Sequence, residues 1–143
     1  MSGQRYAEDV NAGDELPVLV KNASRAQLFL FSAATNNPHR IHYDKDYAAV
    51  EGHPDVLVHG PLQGAWLSQY VTDWAGTGGR VRALSWQNRA RAYPERDLSF
   101  KGKVVEKREE DGRAVVELEV WEEDDEGQVL MPGKATVELP GRG

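Results

Sequence analysis

The feature that most limits how this chain can fold is a change of hydrophobic period near residue 79. Between residues 61 and 72 no side chain is charged, and Leu62, Ala65, Trp66, Leu67, Tyr70, Val71 and Trp74 occupy more than one face of the helix they predict. A surface helix shows a polar stripe, so this one reads as wrapped by other structure. Pro61 suits its first position, where a missing N–H does no harm, and Gly76, Gly78 and Gly79 end it. Beyond them the period becomes two, in runs at 81–90, 98–107, 113–121 and 128–139. Ala114, Val116, Leu118 and Val120 alternate with Val115, Glu117, Glu119 and Trp121, while Ala135, Val137 and Leu139 alternate with Lys134, Thr136 and Glu138. Such alternation predicts strands buried on one face. The connectors Y-P-E-R, E-D-G-R and D-D-E-G-Q carry turn residues, and short connections imply antiparallel neighbours.

Upstream, the polar residues 1–15 start loosely and 16–21 read as a short strand. Ser24 can cap a helix over 25–31, residues 35–44 form a loop, and Asp44 can cap a brief helix ended by Gly52. The expected architecture is α+β: a single hotdog fold, with an antiparallel sheet wrapped around a long central helix, in one domain over 1–143. One covering helix leaves sheet edges to manage, so a homodimer formed by sheet extension is expected.

With 143 residues the chain can bury a core unaided, and its lack of cysteine excludes disulfides, zinc-thiolate sites and cysteine nucleophiles. No apolar run approaches the roughly 20 residues of a membrane helix, and the acidic start does not resemble a signal peptide, so a cytoplasmic location away from membranes is expected. The formal charge of −6 argues against nucleic acid as a partner. Even so, Arg80, Arg82, Arg89, Arg91, Arg96, Lys101 and Lys103 crowd residues 80–103, and acids crowd 117–126. These runs are either solvated strand faces or, for the basic one, a surface for the phosphates of coenzyme A.

All four histidines, His39, His42, His53 and His59, fall within 21 residues. Histidine is the usual acid/base group near neutral pH, though loops before helices also carry it for capping or packing. The N-N-P turn can present Asn37 and His42 to one space. His59-Gly60-Pro61 then opens the apolar helix, where free N–H groups and the positive dipole end lie. Glycine there admits a ligand close to the backbone, and an N–H aimed at a thioester carbonyl would stabilise an enolate. Gly60-Pro61 serves equally as a plain helix entrance. A metal is the competing use of the histidines, with Asp44 as a carboxylate, but His39-x-x-His42 lies in a Pro-containing loop and there is no H-E-x-x-H helix, so no metal and no other cofactor are expected. Trp66, Tyr70, Trp74 and Trp86 are core or acyl-pocket residues.

The segments N-N-P-H-R-I-H-Y-D and V-L-V-H-G-P-L, with A-Y-P-E-R-D-L-S-F-K-G-K-V-V-E-K over 92–107, resemble the MaoC-like (R)-specific enoyl-CoA hydratase family from about residue 27 onward. The resemblance implies hydration of a trans-2-enoyl thioester, or dehydration of a 3-hydroxyacyl thioester, carried by CoA or an acyl carrier protein. His42 matches the family's catalytic histidine and Gly60 its oxyanion glycine. Asp44 matches the trailing acid, a structural group near the site, and His59, Pro61, Trp66 and Arg40 are expected to contact substrate. The family's catalytic Asp falls on Asn37, which can orient water but not take its proton. The form N-x-H-R-I-H-Y-D is similar to a subgroup that includes 3-hydroxyacyl-thioester dehydratases and mesaconyl-CoA-type hydratases, where Asn stands at this place. Q-Y-V-T-D-W-A-G (69–76) resembles small subunits of steroid side-chain hydratases. A partner-dependent subunit, forming a heteromer with a second MaoC-like chain, is therefore an alternative, as is a tailoring dehydratase of secondary metabolism. A thioesterase on this fold would need an acid on the central helix, and none occurs between residues 61 and 72.

Overall fold

The computed structural model describes residues 3–143. Five antiparallel strands form one sheet in the order β1-β3-β4-β5-β2. They are β1 (Leu19–Asn22), β2 (Arg80–Trp86), β3 (Asp97–Glu110), β4 (Arg113–Glu123) and β5 (Val129–Leu139). Helices α1 (Arg25–Ala34), α2 (Lys45–Val50) and α3 (Gly60–Ala75) precede the last four strands. Helix α3, uncharged from 61 to 72, packs against β2, β4 and β5, which is the wrapped arrangement its sequence requires. Leu62, Trp66, Leu67, Tyr70, Val71 and Trp74 are all buried. At about 1.5–3 kcal/mol for each large apolar side chain removed from water, this one helix contributes a large share of the core. Val116, Leu118, Val120, Ala135 and Val137 meet it from the sheet.

Two glycines permit close approaches, one between helix and sheet and one between paired strands. A Cβ on Gly64 would lie 2.3 Å from the Trp86 ring, so only glycine lets that indole close over α3. A Cβ on Gly133 of β5 would lie 2.6 Å from the Ser85 carbonyl oxygen.

The first strand starts later than the 16–21 expected. Pro17 has no N–H to give to a ladder, so Leu16 donates a single bond to Gly102 O and regular pairing begins at Leu19. The run expected at 81–90 stops pairing as a strand at Trp86. Residues 87–92 continue as an extended connection, held by Gln87 N to Pro132 O and Arg89 N to Leu130 O, and by Val58 N to Ala92 O. That connection brings Asn88, Arg89 and Arg91 beside the start of α3. Helix α1 begins at the expected cap, with Ser24 Oγ accepting from Gln27 N at 3.0 Å, and runs on to Ala34.

Candidate active site

Three segments meet at the N-terminus of α3. The loop after α1 brings His42, residues 57–60 bring the helix start, and 88–92 form the facing wall. His42, Leu57, Val58, Gly60, Gln63, Asn88, Arg89 and Arg91 line a cleft of about 270 Å³.

His42 is half-buried, and its Nδ1 lies 2.9 Å from the Leu57 carbonyl oxygen. A carbonyl only accepts, so Nδ1 carries the proton and Nε2 keeps the free lone pair. The Leu57 N–H in turn donates to Ile41 O, so the loop and the helix approach are tied to each other on both sides of the imidazole. Burial pulls the His42 pKa below the ordinary histidine value. The Leu57 hydrogen bond partly opposes that, and the charge of His39 adds to it. His42 is therefore a neutral base at neutral pH, with its lone pair on Nε2.

His59 has no exposed surface. Its ring stacks on His42, centroids 3.8 Å apart and planes 18° apart, while Phe31 meets it edge-on. Its Nε2 lies 2.7 Å from Ser32 Oγ on α1, and its Nδ1 is buried without a partner. Burial, and then the charge of His42, hold its pKa down to about 4, so it too is neutral. His59 is a flat wall behind His42, and any contribution to the site runs through that stack.

Gly60 is the first residue of α3, with His59 before it as the cap residue and Pro61 following. A Cβ on Gly60 would lie 2.1 Å from Asn88 Nδ2. The cleft therefore reaches the helix backbone only because residue 60 has no side chain.

The other expected site residues are placed elsewhere. Asn37 lies in an adjoining hollow with Pro38, His39, Arg40 and Tyr47, and its Oδ1 accepts from His39 N at 3.3 Å. Arg40 is committed to Asp44, at 2.6 Å, and lies over the Tyr47 ring. Asp44 caps α2 through Tyr47 N, and the two bonds hold its carboxyl below the usual carboxylate range. Pro61 is exposed, and Trp66 packs in the core edge-on to Phe100. Among the described residues, no three His, Cys, Asp or Glu side chains gather as a metal cluster, and no helix is long and apolar enough to cross a membrane.

Most of the basic run is neutralised across the strands: Arg82 by Glu110 and Glu138, Arg96 by Asp125, Lys101 by Glu123 and Lys103 by Glu119. Arg89 and Arg91, on the cleft wall, are different. Arg89 contacts only the Gln87 side-chain oxygen, and Arg91 has no side-chain partner among the described residues.

One buried group has no counterpart in the sequence reading. Glu122 of β4 is fully buried, and both its oxygens accept from Gln63 Nε2, at 3.0 and 2.8 Å. Burial pushes its pKa up to about 7, the Gln63 bond partly opposing. The sheet thus sets an acid against the central helix, in contact with Gln63. The signal was the parity of Val116, Leu118 and Val120, which Glu122 continues; the acidic run 122–126 masked it.

Known proteins resemble this chain in sequence and in fold. Over 43 residues (29% of this chain, 15% of the relative) the sequence is 56% identical to the mesaconyl-C(4)-CoA hydratase of Chloroflexus aurantiacus. Over 99 residues (67% of this chain, 35% of the relative) it is 30% identical to the mitochondrial hydroxyacyl-thioester dehydratase type 2 of Saccharomyces cerevisiae. It is also 26% identical over 93 residues (65% of this chain, 72% of the relative) to the 3-oxo-4,17-pregnadiene-20-carboxyl-CoA hydratase beta subunit of Mycobacterium tuberculosis. The aligned segments thus span only 15% and 35% of the first two relatives. The fold superposes on the (R)-hydratase of A. caviae with a TM-score of 0.82 at 20% identity, covering 93% of this chain and 99% of that one. On the R-hydratase of Pseudomonas aeruginosa the TM-score is 0.84 at 21% identity, covering 96% and 86%. These neighbours show the hotdog fold. Residues 8–94 match the hydroxyacyl-thioester dehydratase type 2 family, and the chain belongs to that family of MaoC-like hydratases and dehydratases.

Proposed function

We propose that this protein adds water across a trans-2-enoyl thioester, or removes it from a 3-hydroxyacyl thioester, with His42 as acid/base. The observation that carries the reading is the fixed tautomer of His42: Nδ1 is bound to Leu57 O, and Nε2 is free in a cleft it shares with the start of α3. In hydration, Nε2 takes a proton from water as its oxygen bonds to C3. The C2–C3 π electrons move onto the thioester oxygen, and the Gly60 N–H stabilises the enolate. The proton then returns from Nε2 to C2. Dehydration runs the same steps in reverse. Asn37, an amide where an acid would be a second base, orients water or substrate from the adjoining hollow.

Arg89 and Arg91 support a phosphate-bearing acyl carrier, because they are cleft-wall cations without carboxylate partners among the described residues. The free edge of β2 fits pairing with a second copy of the chain.

A second reading, a partner-dependent subunit, is favoured by Asn37 and by similarity to a chain named as a beta subunit. A solved complex, ChsH1–ChsH2 of Mycobacterium tuberculosis, shares the fold (TM-score 0.76, 22% identity, 90% of this chain and 98% of that one). The test is loss of enoyl absorbance with crotonyl-CoA and with longer and branched 2-enoyl-CoAs, beside His42→Ala. Turnover in the wild type, lost in a folded variant, supports the hydratase. Silence from a well-folded homodimer favours the subunit, and turnover retained by the variant refutes the role of His42.

A further inference from the structure

Glu122 sits where an apolar residue would be expected. On β4 it follows Val116, Leu118 and Val120 on the buried face, and its partners in register are Phe100 on β3 and Met131 on β5, both fully buried. An ionisable group in such surroundings is costly unless it is paired or neutral. Among the described residues its side-chain partner is Gln63, on the first turn of α3. Gln63 is itself 3% exposed, and it lines the same cleft as His42 and Gly60. The carboxylate of β4 therefore reaches the site through one amide.

An amide has two unlike ends. An ionised carboxylate only accepts, so it holds the Gln63 NH2 group and leaves the carbonyl oxygen as the remaining hydrogen-bonding end. A protonated carboxyl can donate, so it can hold the carbonyl oxygen instead and free the NH2 group. The charge state of Glu122 thus selects whether Gln63 has an acceptor or a donor to spare.

We propose that Glu122 is a positioning residue that sets which end of the Gln63 amide is offered to the cleft. The ionised pair offers an acceptor to the water that His42 activates, and the neutral pair offers a donor. The orientation rests on the contacts alone, while its effect on turnover rests on the hydratase reading. Among the described residues no charged group opposes the switch: Phe100 and Met131 face Glu122 from β3 and β5, and burial and Gln63 act on its ionisation. With a pKa near 7, both states are populated around neutrality, whereas His42 titrates below its ordinary value.

The experiment follows the Gln63 side-chain NH2 resonance of the full chain by NMR from about pH 5.5 to 8.5, assigned by its loss in Gln63→Met. It should move with a midpoint near 7 in the wild type and stay still in Glu122→Gln. A resonance that is stationary in the wild type, or that titrates equally in the variant, overturns the proposal. Kinetics on crotonyl-CoA then read the consequence. Wild-type kcat/KM should fall about tenfold per pH unit below the Glu122 midpoint. Glu122→Gln should lack that inflection and keep only the lower limb of His42. A loss by the same factor at every pH would mark Glu122 as merely structural and overturn the proposal. Should Glu122→Gln fail to fold, Gln63→Met must lose the same inflection, and keeping it overturns the proposal. A wild type that turns over no thioester refutes the hydratase reading, while the NMR result still decides the role of Glu122.

Discussion

Replacing Glu122 by glutamine keeps the side-chain shape and an acceptor for Gln63 but removes the ionisation. The folded carboxyl has a pKa raised from 4.5 to about 7. A raised carboxyl pKa favours folding below the unfolded value, and that contribution is lost as pH rises through the folded one. At about 1.4 kcal/mol per pKa unit, the penalty on the wild type is about 1 kcal/mol near pH 5 and about 3 kcal/mol near pH 8. His59 acts in the opposite sense. Its pKa is lowered from 6.5 to about 4, so its contribution is full above 6.5 and is lost as pH falls, by about 2 kcal/mol near pH 5. In the wild type the two slopes nearly cancel between pH 5 and 8. Glu122→Gln should unmask the His59 slope and lose roughly 2 kcal/mol of stability as pH falls from 8 to 5. Urea unfolding of both proteins at several pH values measures the difference. A gap between them that stays constant across pH would refute the assignment of a buried, neutral-leaning carboxyl to Glu122.

Gly60→Ala puts a methyl group against Asn88, and displacing the helix start should lower kcat by roughly 10²-fold, with Gly60→Ala/Asn88→Gly recovering most of it. Removing both free cleft cations, in Arg89→Ala/Arg91→Ala, should raise KM for CoA thioesters with kcat nearly kept, and the difference from wild type should shrink at high salt. Ser24→Ala removes the cap bond to Gln27 N and should cost about 1 kcal/mol of stability in denaturant unfolding, without changing kcat.

Sequence alone carries the elements whose cause is local. The uncharged stretch from 61 to 72 requires a wrapped helix, and the alternation of Ala114, Val116, Leu118 and Val120 requires one buried strand face. Ser24 and Asp44 cap the helices their chemistry predicts. The features set by distant partners were not legible. Which cations stay free depends on pairs such as Arg82 with Glu138, 56 residues apart. The burial of His59 depends on Ser32 and Phe31 of α1 closing over it. Asn37 and His42 are close in sequence, yet the 3-10 turn at Arg40–His42 sends them to adjoining hollows. Trp66, read as core or pocket, is core because it points at Phe100.

The partner that fixes the tautomer of His42 is the Leu57 carbonyl, a main-chain atom. Every substitution at residue 57 that leaves the chain path intact retains it. The orientation of the base is thus insulated from point mutation in a way that a carboxylate partner would not be. Residue 57 itself lines the cleft, so its side chain can be changed without removing that contact. A substitution there would reshape the cleft wall and leave the imidazole held as before.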